Sequence, residues 1–267
     1  PKSSLGVGTN VITVHSTDAA GNAGSSSLTV TVNEYVPITG TIGLPSKVLA
    51  GHDLVVTAYD ANGNFVANGT INTLTNTYSL DIPKSQTGKL TLKISSSGSA
   101  KDFWDESVVA QADLGASAIS ATITANGLAQ TANITLLTDL ASRIIGVIPG
   151  ATSTQISDVN KAITQLLISS TSSVEITSFT PDFAIGSTGT YTTTGVGAAT
   201  IYGQLLVQLD EQAKETGKTL SAVLVDMTNG ITYNAGTGVA TLTSAFAKQV
   251  FLLAKTQLAA SFEPGSS

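Results

Sequence analysis

The stretch Thr131–Ile148, TANITLLTDLASRIIGVI, is where the periodicity of the chain changes. Polar and apolar residues alternate briefly from Asn133 to Thr135, which is typical of the end of a β-strand. Thr138 is then placed to cap a helix. The apolar residues of that helix recur at helical spacing: Leu137, Leu140, Ile144 and Ile148. We therefore predict strands before this stretch and mostly helices after it, which makes the fold class α+β and multidomain.

The composition indicates a protein that works outside the cell. Hydrophobic residues make up 42% of the chain but charged residues only 11%, whereas about 25% of an ordinary globular domain is charged. Small polar residues such as threonine and serine replace lysine and glutamate, and threonine suits exposed strands. We expect an extracellular protein on a bacterial cell surface.

Several classes of partner are excluded by the same numbers. The net charge is −6 and Arg143 is the only arginine, so the clustered cations that a nucleic-acid binder needs are missing. No run approaches the roughly 18 apolar residues of a membrane span. Without cysteine, the chain has neither disulfides nor a thiolate metal site.

Residues 1–36 predict two strands, Val11–Val14 and Leu28–Val32, joined by a turn-rich loop. The run NVITVHSTDAAGNAGSSSLTVTV, with its TDAAGN motif, resembles the last two strands of a bacterial immunoglobulin-like repeat, as found in long secreted adhesins. A complete repeat has about seven strands. We therefore expect the other strands to come from a segment outside this sequence or from a neighbouring molecule.

Residues 37–136 predict a compact β-sandwich, preceded by a short linker at residues 34–38 that contains Pro37. The segments GTI, AGHDLVVTAYDANGNFVANGTI, NTYSLDIP and GKLTLKIS resemble the carboxypeptidase-regulatory, transthyretin-like domain. That family implies a prealbumin-like β-sandwich that serves as a spacer and interaction module, without catalytic residues. The candidate strands are Thr39–Leu44, Asp53–Tyr59, Phe65–Asn68, Thr77–Asp81, Lys89–Ser95, Ile119–Thr124 and Ala129–Leu136.

Residues 137–262 predict a mainly α-helical module, and residues 263–267 a disordered tail. Ser153 or Thr154 is placed to cap the second helix, and residues 169–198 predict a long ordered loop. The order of helices resembles a module that follows prealbumin-type domains in some proteobacterial surface proteins. The predicted helices are Thr138–Ile148, the one after Ser153 or Thr154, Ala199–Lys214, Leu220–Thr228 and Thr241–Phe262.

Two short loops carry oxygen-bearing side chains of the kind that calcium prefers. Asp18 and Asn22 lie in DAAGN, and Asp60, Asn62 and Asn64 lie in DANGN. The second loop is also explained as a hairpin turn, because its Asn62-Gly63 pair tolerates positive φ. Calcium is the only cofactor that the sequence predicts, and the two interpretations stay open.

The cluster Phe103-Trp104-Asp105 contains the only tryptophan of the chain. An exposed Trp104 beside acidic residues suits stacking on a sugar or contact with a protein partner. Alternatively, Phe103 and Trp104 close one end of the sandwich while the acids face solvent. We prefer the second interpretation.

No set of residues predicts an active site. The two histidines, His15 and His52, lie far from each other in the sequence and lack the neighbours of a triad or a zinc site. Asp139 and Arg143 are four apart and predict a surface ion pair. We expect a protein that is not an enzyme.

The sequence thus predicts a non-enzymatic structural or adhesive protein. It would be a segment of a self-assembling surface layer, filament or large adhesin, forming a homopolymer by intermolecular strand complementation, with calcium stiffening the joints. The alternative is a module that binds carbohydrate or another host or cell-surface ligand, through the Trp104 region or the loop 169–198.

Overall fold

The computed structural model describes residues 5–44, 48–105, 110–181, 197–245 and 248. These residues form a mixed α/β fold built on one large β-sheet. The strands are β1 (Gly8–Thr17), β2 (Ala23–Val32), β3 (Tyr35–Gly43), β4 (Leu54–Tyr59), β5 (Phe65–Asn72), β6 (Thr77–Pro83), β7 (Thr87–Ser96), β8 (Phe103–Asp105), β9 (Ala110–Ala112), β10 (Ala118–Asn126), β11 (Gln130–Thr131), β12 (Ile134–Thr135), β13 (Ile231–Asn234) and β14 (Val239–Leu242). The helices are α1 (Leu136–Gly146), α2 (Ser153–Leu167), α3 (Ala198–Glu215) and α4 (Leu220–Asn229), with a short 3-10 helix at Ile176–Ser178.

The large sheet has the strand order β10-β7-β4-β5-β6-β3-β11, and β12 also pairs with β3. All neighbours are antiparallel except β11 and β12, which run parallel to β3. Leu90, Leu92 and Ile94 of β7 are fully buried, while the residues between them are not. This period of two places one face of the sheet on the core.

Strand β3 begins at Tyr35, inside the segment that the sequence predicted to be a linker. Pro37 lies opposite Asp81 of β6, and Ile38 is fully buried. The linker prediction is wrong, since Tyr35, Val36 and Pro37 pair with β6. A proline is tolerated in a strand where its missing N–H is not needed for pairing.

Helix α1 confirms the change of period, but its cap differs from the prediction. The cap is Thr135, the last residue of β12, and not Thr138. Thr138 N donates to Thr135 Oγ1 (3.1 Å), and Thr135 N donates to Thr138 Oγ1 (2.8 Å). This is a capping box in which Thr138 replaces the usual Glu or Gln, so strand and helix meet without a loop.

The next three helices are confirmed, with one corrected cap. Helix α2 is capped by Thr152 and not by Ser153 or Thr154, since Thr152 and Gln155 form a second capping box. Helices α3 and α4 agree with the predicted helices to within one residue at each end.

The C-terminal part differs from the prediction where the structure describes it. Thr241 and Leu242 lie in β14, which pairs with β13 in a hairpin, so the last helix does not begin at Thr241. A four-residue strand gives too short an alternation to predict. The predicted helix beyond residue 248, the tail 263–267 and loop residues 182–196 lie outside the described residues.

The sheet and the helices share one continuous hydrophobic core. Asp139 of α1 forms the predicted ion pair with Arg143 (Nε to Oδ2, 2.5 Å), but its carboxylate is buried and not on the surface. It also accepts hydrogen bonds from Ser120 N (2.9 Å) and Ser120 Oγ (2.7 Å) of β10. The division of the chain into domains at residues 36, 136 and 262 stays a prediction.

Candidate interaction site

The two loops proposed for calcium have the same conformation. In the turn between β1 and β2, Asp18 Oδ1 accepts from Ala20 N (2.9 Å) and Asn22 N (2.8 Å), and Asp18 Oδ2 accepts from Asn22 Nδ2 (2.9 Å). In the turn between β4 and β5, Asp60 makes the equivalent three bonds at 2.8, 2.8 and 3.0 Å. Each aspartate therefore organises a hairpin turn.

These hydrogen bonds favour the ionised carboxylates. The side-chain bond from Asn22 is the largest cause that lowers the pKa of Asp18, and the bond from Asn64 does the same for the pKa of Asp60. Asn62 contributes only its backbone N–H to the second turn. Within the described ranges, no three histidine or acidic side chains are grouped so that they could hold a metal ion. Calcium binding at these turns stays a prediction.

The cluster around the tryptophan forms the short strand β8, which pairs with β9. Phe103 is buried, whereas Trp104 is half-buried. Trp104 Nε1 is itself buried and has no hydrogen-bond partner in the described part of the chain. The side chain of Asp105 lies outside that part. The role of these three residues in contacts with a ligand stays a prediction.

A pair of carboxyl groups beside this cluster was not identified from the sequence. Asp102 is fully buried and accepts from Asp53 N (3.2 Å) and Leu114 N (2.9 Å). Burial raises the pKa of Asp102, and the charges of Asp53 and Asp113 raise it further. Hydrogen bonds from Ser96 Oγ (2.6 Å) and a backbone N–H lower the pKa of Asp53. Only the tertiary fold brings these groups together.

A regularly spaced set of exposed apolar side chains lies on the β1–β2 hairpin. Ile12 lies directly opposite Leu28, and Val14 is the next residue on the same face. Val14 is 64% exposed and Leu28 is 62% exposed. The apolar face is defined by Ile12, Val14, Leu28, Val30 and Val32.

The opposite face of the hairpin is polar. It carries Thr13 opposite Ser27, whose hydroxyls are 2.9 Å apart, and His15 opposite Ser25. Val11 is the exception, and it is as exposed as Val14. The hairpin is thus amphipathic, as a half-buried pair of strands is, yet Ile12, Val14 and Leu28 of its apolar face are exposed, while Val30 and Val32 are half-buried.

The outer edges of the hairpin are also open. β1 and β2 pair with each other over ten residues each and form a two-stranded sheet without a third strand from the described residues. Unpaired N–H and C=O groups along such edges are a template for another strand.

By contrast, side chains cap the β10 edge of the large sheet. Ser120 N donates to Asp139 Oδ1, and Ser120 O accepts from Thr138 Oγ1 (2.9 Å). Thr122 O accepts from Asn160 Nδ2 of α2 (3.0 Å). Helices α1 and α2 therefore supply the partners that an added strand would otherwise supply.

The β3 edge is capped in a similar way. Between β11 and β12, Asn133 Oδ1 accepts from Thr41 N (2.8 Å), and Thr39 O accepts from Ala132 N (2.8 Å). Asn133 Nδ2 also donates to Phe179 O (3.1 Å). Neither edge of the large sheet is open over the length of a strand.

Comparison with protein-family models, with curated proteins and with solved structures gives no match. Among the helices in the described residues, none is both long enough and apolar enough to span a membrane.

Proposed function

We propose that this chain is a non-enzymatic extracellular structural or adhesive protein that self-associates through its β1–β2 hairpin. The observation that carries the proposal is the hairpin itself, with an exposed apolar face and two open edges. The chain would form a segment of a surface layer, filament or large adhesin, and its homopolymer would grow by strand complementation between molecules.

The low stability expected for an isolated hairpin supports the proposal that the β1–β2 hairpin binds a partner. An isolated two-stranded hairpin is only marginally stable in water, and three or more strands with a covered apolar face are needed for independent stability. Burying each fully exposed valine or leucine stabilises an assembly by about 1.5–3 kcal/mol. The exposed apolar side chains of this face are therefore costly to leave in solvent and favourable to cover.

The sequence resemblances fit the same proposal. The hairpin corresponds to the segment that resembles the end of an immunoglobulin-like repeat, and the strands β3 to β7 correspond to the segments that resemble a transthyretin-like spacer. The surface is weakly charged, which suits close contact between like molecules. Calcium at the Asp18 turn would stiffen the joint.

The test is self-association of the full chain, measured by sedimentation velocity over a range of concentrations and by electron microscopy. We expect reversible oligomers or filaments. Replacing Val14 and Leu28 by threonine removes apolar area from the exposed face, while threonine, which is β-branched, still suits a strand. This variant should associate about tenfold more weakly or worse.

Val11→Thr is the matched control, since Val11 lies on the same strand with the same exposure but on the opposite face. It should associate as the unchanged chain does. A chain that stays monomeric at every concentration, or equal effects of the two substitutions, would rule the proposal out.

A further inference from the structure

The chain contains a second hairpin that shows how such an element is completed. When the Asp18 turn is superposed on the Asp60 turn, β1 corresponds to β4. The glycine of each turn has positive φ, +85° at Gly21 and +80° at Gly63. The identical pairs are Val14 and Val56, Asp18 and Asp60, Ala19 and Ala61, Gly21 and Gly63, and Asn22 and Asn64.

The correspondence extends to the direction in which side chains point. Ile12 and Val14 of the apolar face align with Leu54 and Val56 of β4, which are 6% and 0% exposed. In the large sheet, β7 pairs with β4 from Leu54 to Tyr59, whereas β6 pairs with Gly69–Asn72 of β5, beyond the part of β5 that pairs with β4. β1 therefore has the apolar pattern of a strand that is covered on one face.

The large sheet of a second copy offers no place for this hairpin. Its β10 edge is capped by Asp139 and Asn160, and its β3 edge by Asn133. The other free strands in the described residues, β8, β9, β13 and β14, have only three or four residues. The ten-residue open edges of the described chain belong to β1 and β2.

Charge does not oppose contact between two hairpins. In residues 5–32 the only ionisable side chains are His15 and Asp18. His15 lies on the polar face, and the Asp18 carboxylate is bonded within the turn. Two apolar faces can thus meet without placing like charges against each other.

The size of the face predicts how strong that contact is. Ten residues at about 3.4 Å and two strands at about 4.8 Å give a face of about 34 Å by 10 Å. Stacking two such faces buries on the order of 700 Å², below the roughly 1,200 Å² of a stable complex. Face contact alone is therefore reversible, and pairing along an open edge must add to it.

We infer that the partner of the β1–β2 hairpin is the β1–β2 hairpin of a second copy, through its apolar face and an open edge. This inference rests on the proposed function and names the partner for it. Hairpins of several copies then form a common β-layered joint, while the capped large sheets stay outside it.

A mixing experiment with two full-length chains tests this. One is the unchanged chain, and the other carries Val14→Asp and Leu28→Asp, which put charges on the apolar face. Each is purified and labelled with its own fluorophore, and sedimentation with two-colour detection measures co-assembly. The control pair contains Val11→Asp, on the polar face of the same strand.

If the hairpins of two copies bind each other, the amount of the doubly substituted chain in assemblies of the unchanged chain should be lower by about tenfold or more. The Val11→Asp chain should enter these assemblies as the unchanged chain does. If the hairpin of the unchanged chain docks elsewhere on a second copy, the doubly substituted chain is still captured and the inference is overturned, although self-association stands. If the unchanged chain does not associate at all, the proposed function itself fails.

Discussion

The hydroxyl of Thr135 is hydrogen-bonded to the phenol of Tyr202, which joins the strand-to-helix junction to the second turn of α3. Both side chains are fully buried. Burial raises the pKa of Tyr202 far above its ordinary value, so the phenol stays protonated at any ordinary pH. Phe179 packs against the same ring, with the ring centroids 6.0 Å apart. The residue that caps α1 thereby also positions α3.

Tyr202→Phe should remove one buried hydrogen bond and keep the ring in place. We expect the free energy of unfolding to fall by about 1 kcal/mol, measured by urea denaturation. Tyr35→Phe is the control, because Tyr35 is 54% exposed, and it should leave the stability unchanged. Equal effects of the two substitutions would show that the bond to Thr135 contributes nothing.

Gly40 is required because β3 passes close to the backbone of Ala132, between β11 and β12. A β-carbon at this position would lie 1.9 Å from Ala132 O and 2.6 Å from Ala132 C, and backbone atoms cannot yield as a flexible side chain can. Gly40→Ala should cost about 3 kcal/mol or more.

The control for this substitution is Gly146→Ala in the last turn of α1. Gly146 faces open space and has no positive φ, so alanine should stabilise the helix by up to about 1 kcal/mol. A Gly40→Ala protein with an unchanged melting temperature would contradict the close approach of β3 to Ala132.

Stability should depend on pH in opposite ways at Asp102 and Asp60. The pKa of Asp102 is raised in the folded state. The stabilising contribution of Asp102 is therefore complete below pH 3.8, the ordinary pKa of the group, and is lost as the pH rises through the pKa of the folded state. The pKa of Asp60 is lowered, so its contribution is present above 3.8 and is lost as the pH falls through the folded pKa.

Urea denaturation between about pH 3 and pH 7 measures both effects. The stability of the unchanged chain relative to Asp102→Asn should decrease with rising pH, and its stability relative to Asp60→Asn should increase. Parallel curves for the unchanged chain and either variant would show that the carboxyl group in question is not perturbed by folding.

If calcium binds at the two hairpin turns, calorimetry should measure a heat of binding. The melting temperature with calcium should also be higher than that of a chelator-treated control. Asp18→Asn and Asp60→Asn should each remove part of the heat, because each replaces a charged oxygen ligand with a neutral one. No heat and an unchanged melting temperature would leave the turns with only their structural role.

Turn motifs and apolar spacing in the sequence predicted those elements in which the whole pattern was present. Asn62-Gly63 marked the turn after β4, and α3 and α4 follow their apolar spacing to within a residue. Caps were misplaced at α1 and α2, because several threonines and serines adjoin each start and only the reciprocal hydrogen bonds identify Thr135 and Thr152.

The sequence by itself determined the periods, two up to Thr135 and 3.6 in the helices α1 to α4, together with turns such as Asp18–Asn22 that close on their own hydrogen bonds. Only the tertiary structure decided which distant residues contact each other. Hydrogen bonds join residues that are far apart in the sequence: Ser120 N donates to Asp139, Thr41 N to Asn133 and Asp53 N to Asp102. The physical reason is that the hydrophobic period of a segment indicates which of its faces is apolar. Whether the edge of a sheet is capped or open depends instead on backbone N–H and C=O groups, whose partners come from residues distant in the sequence.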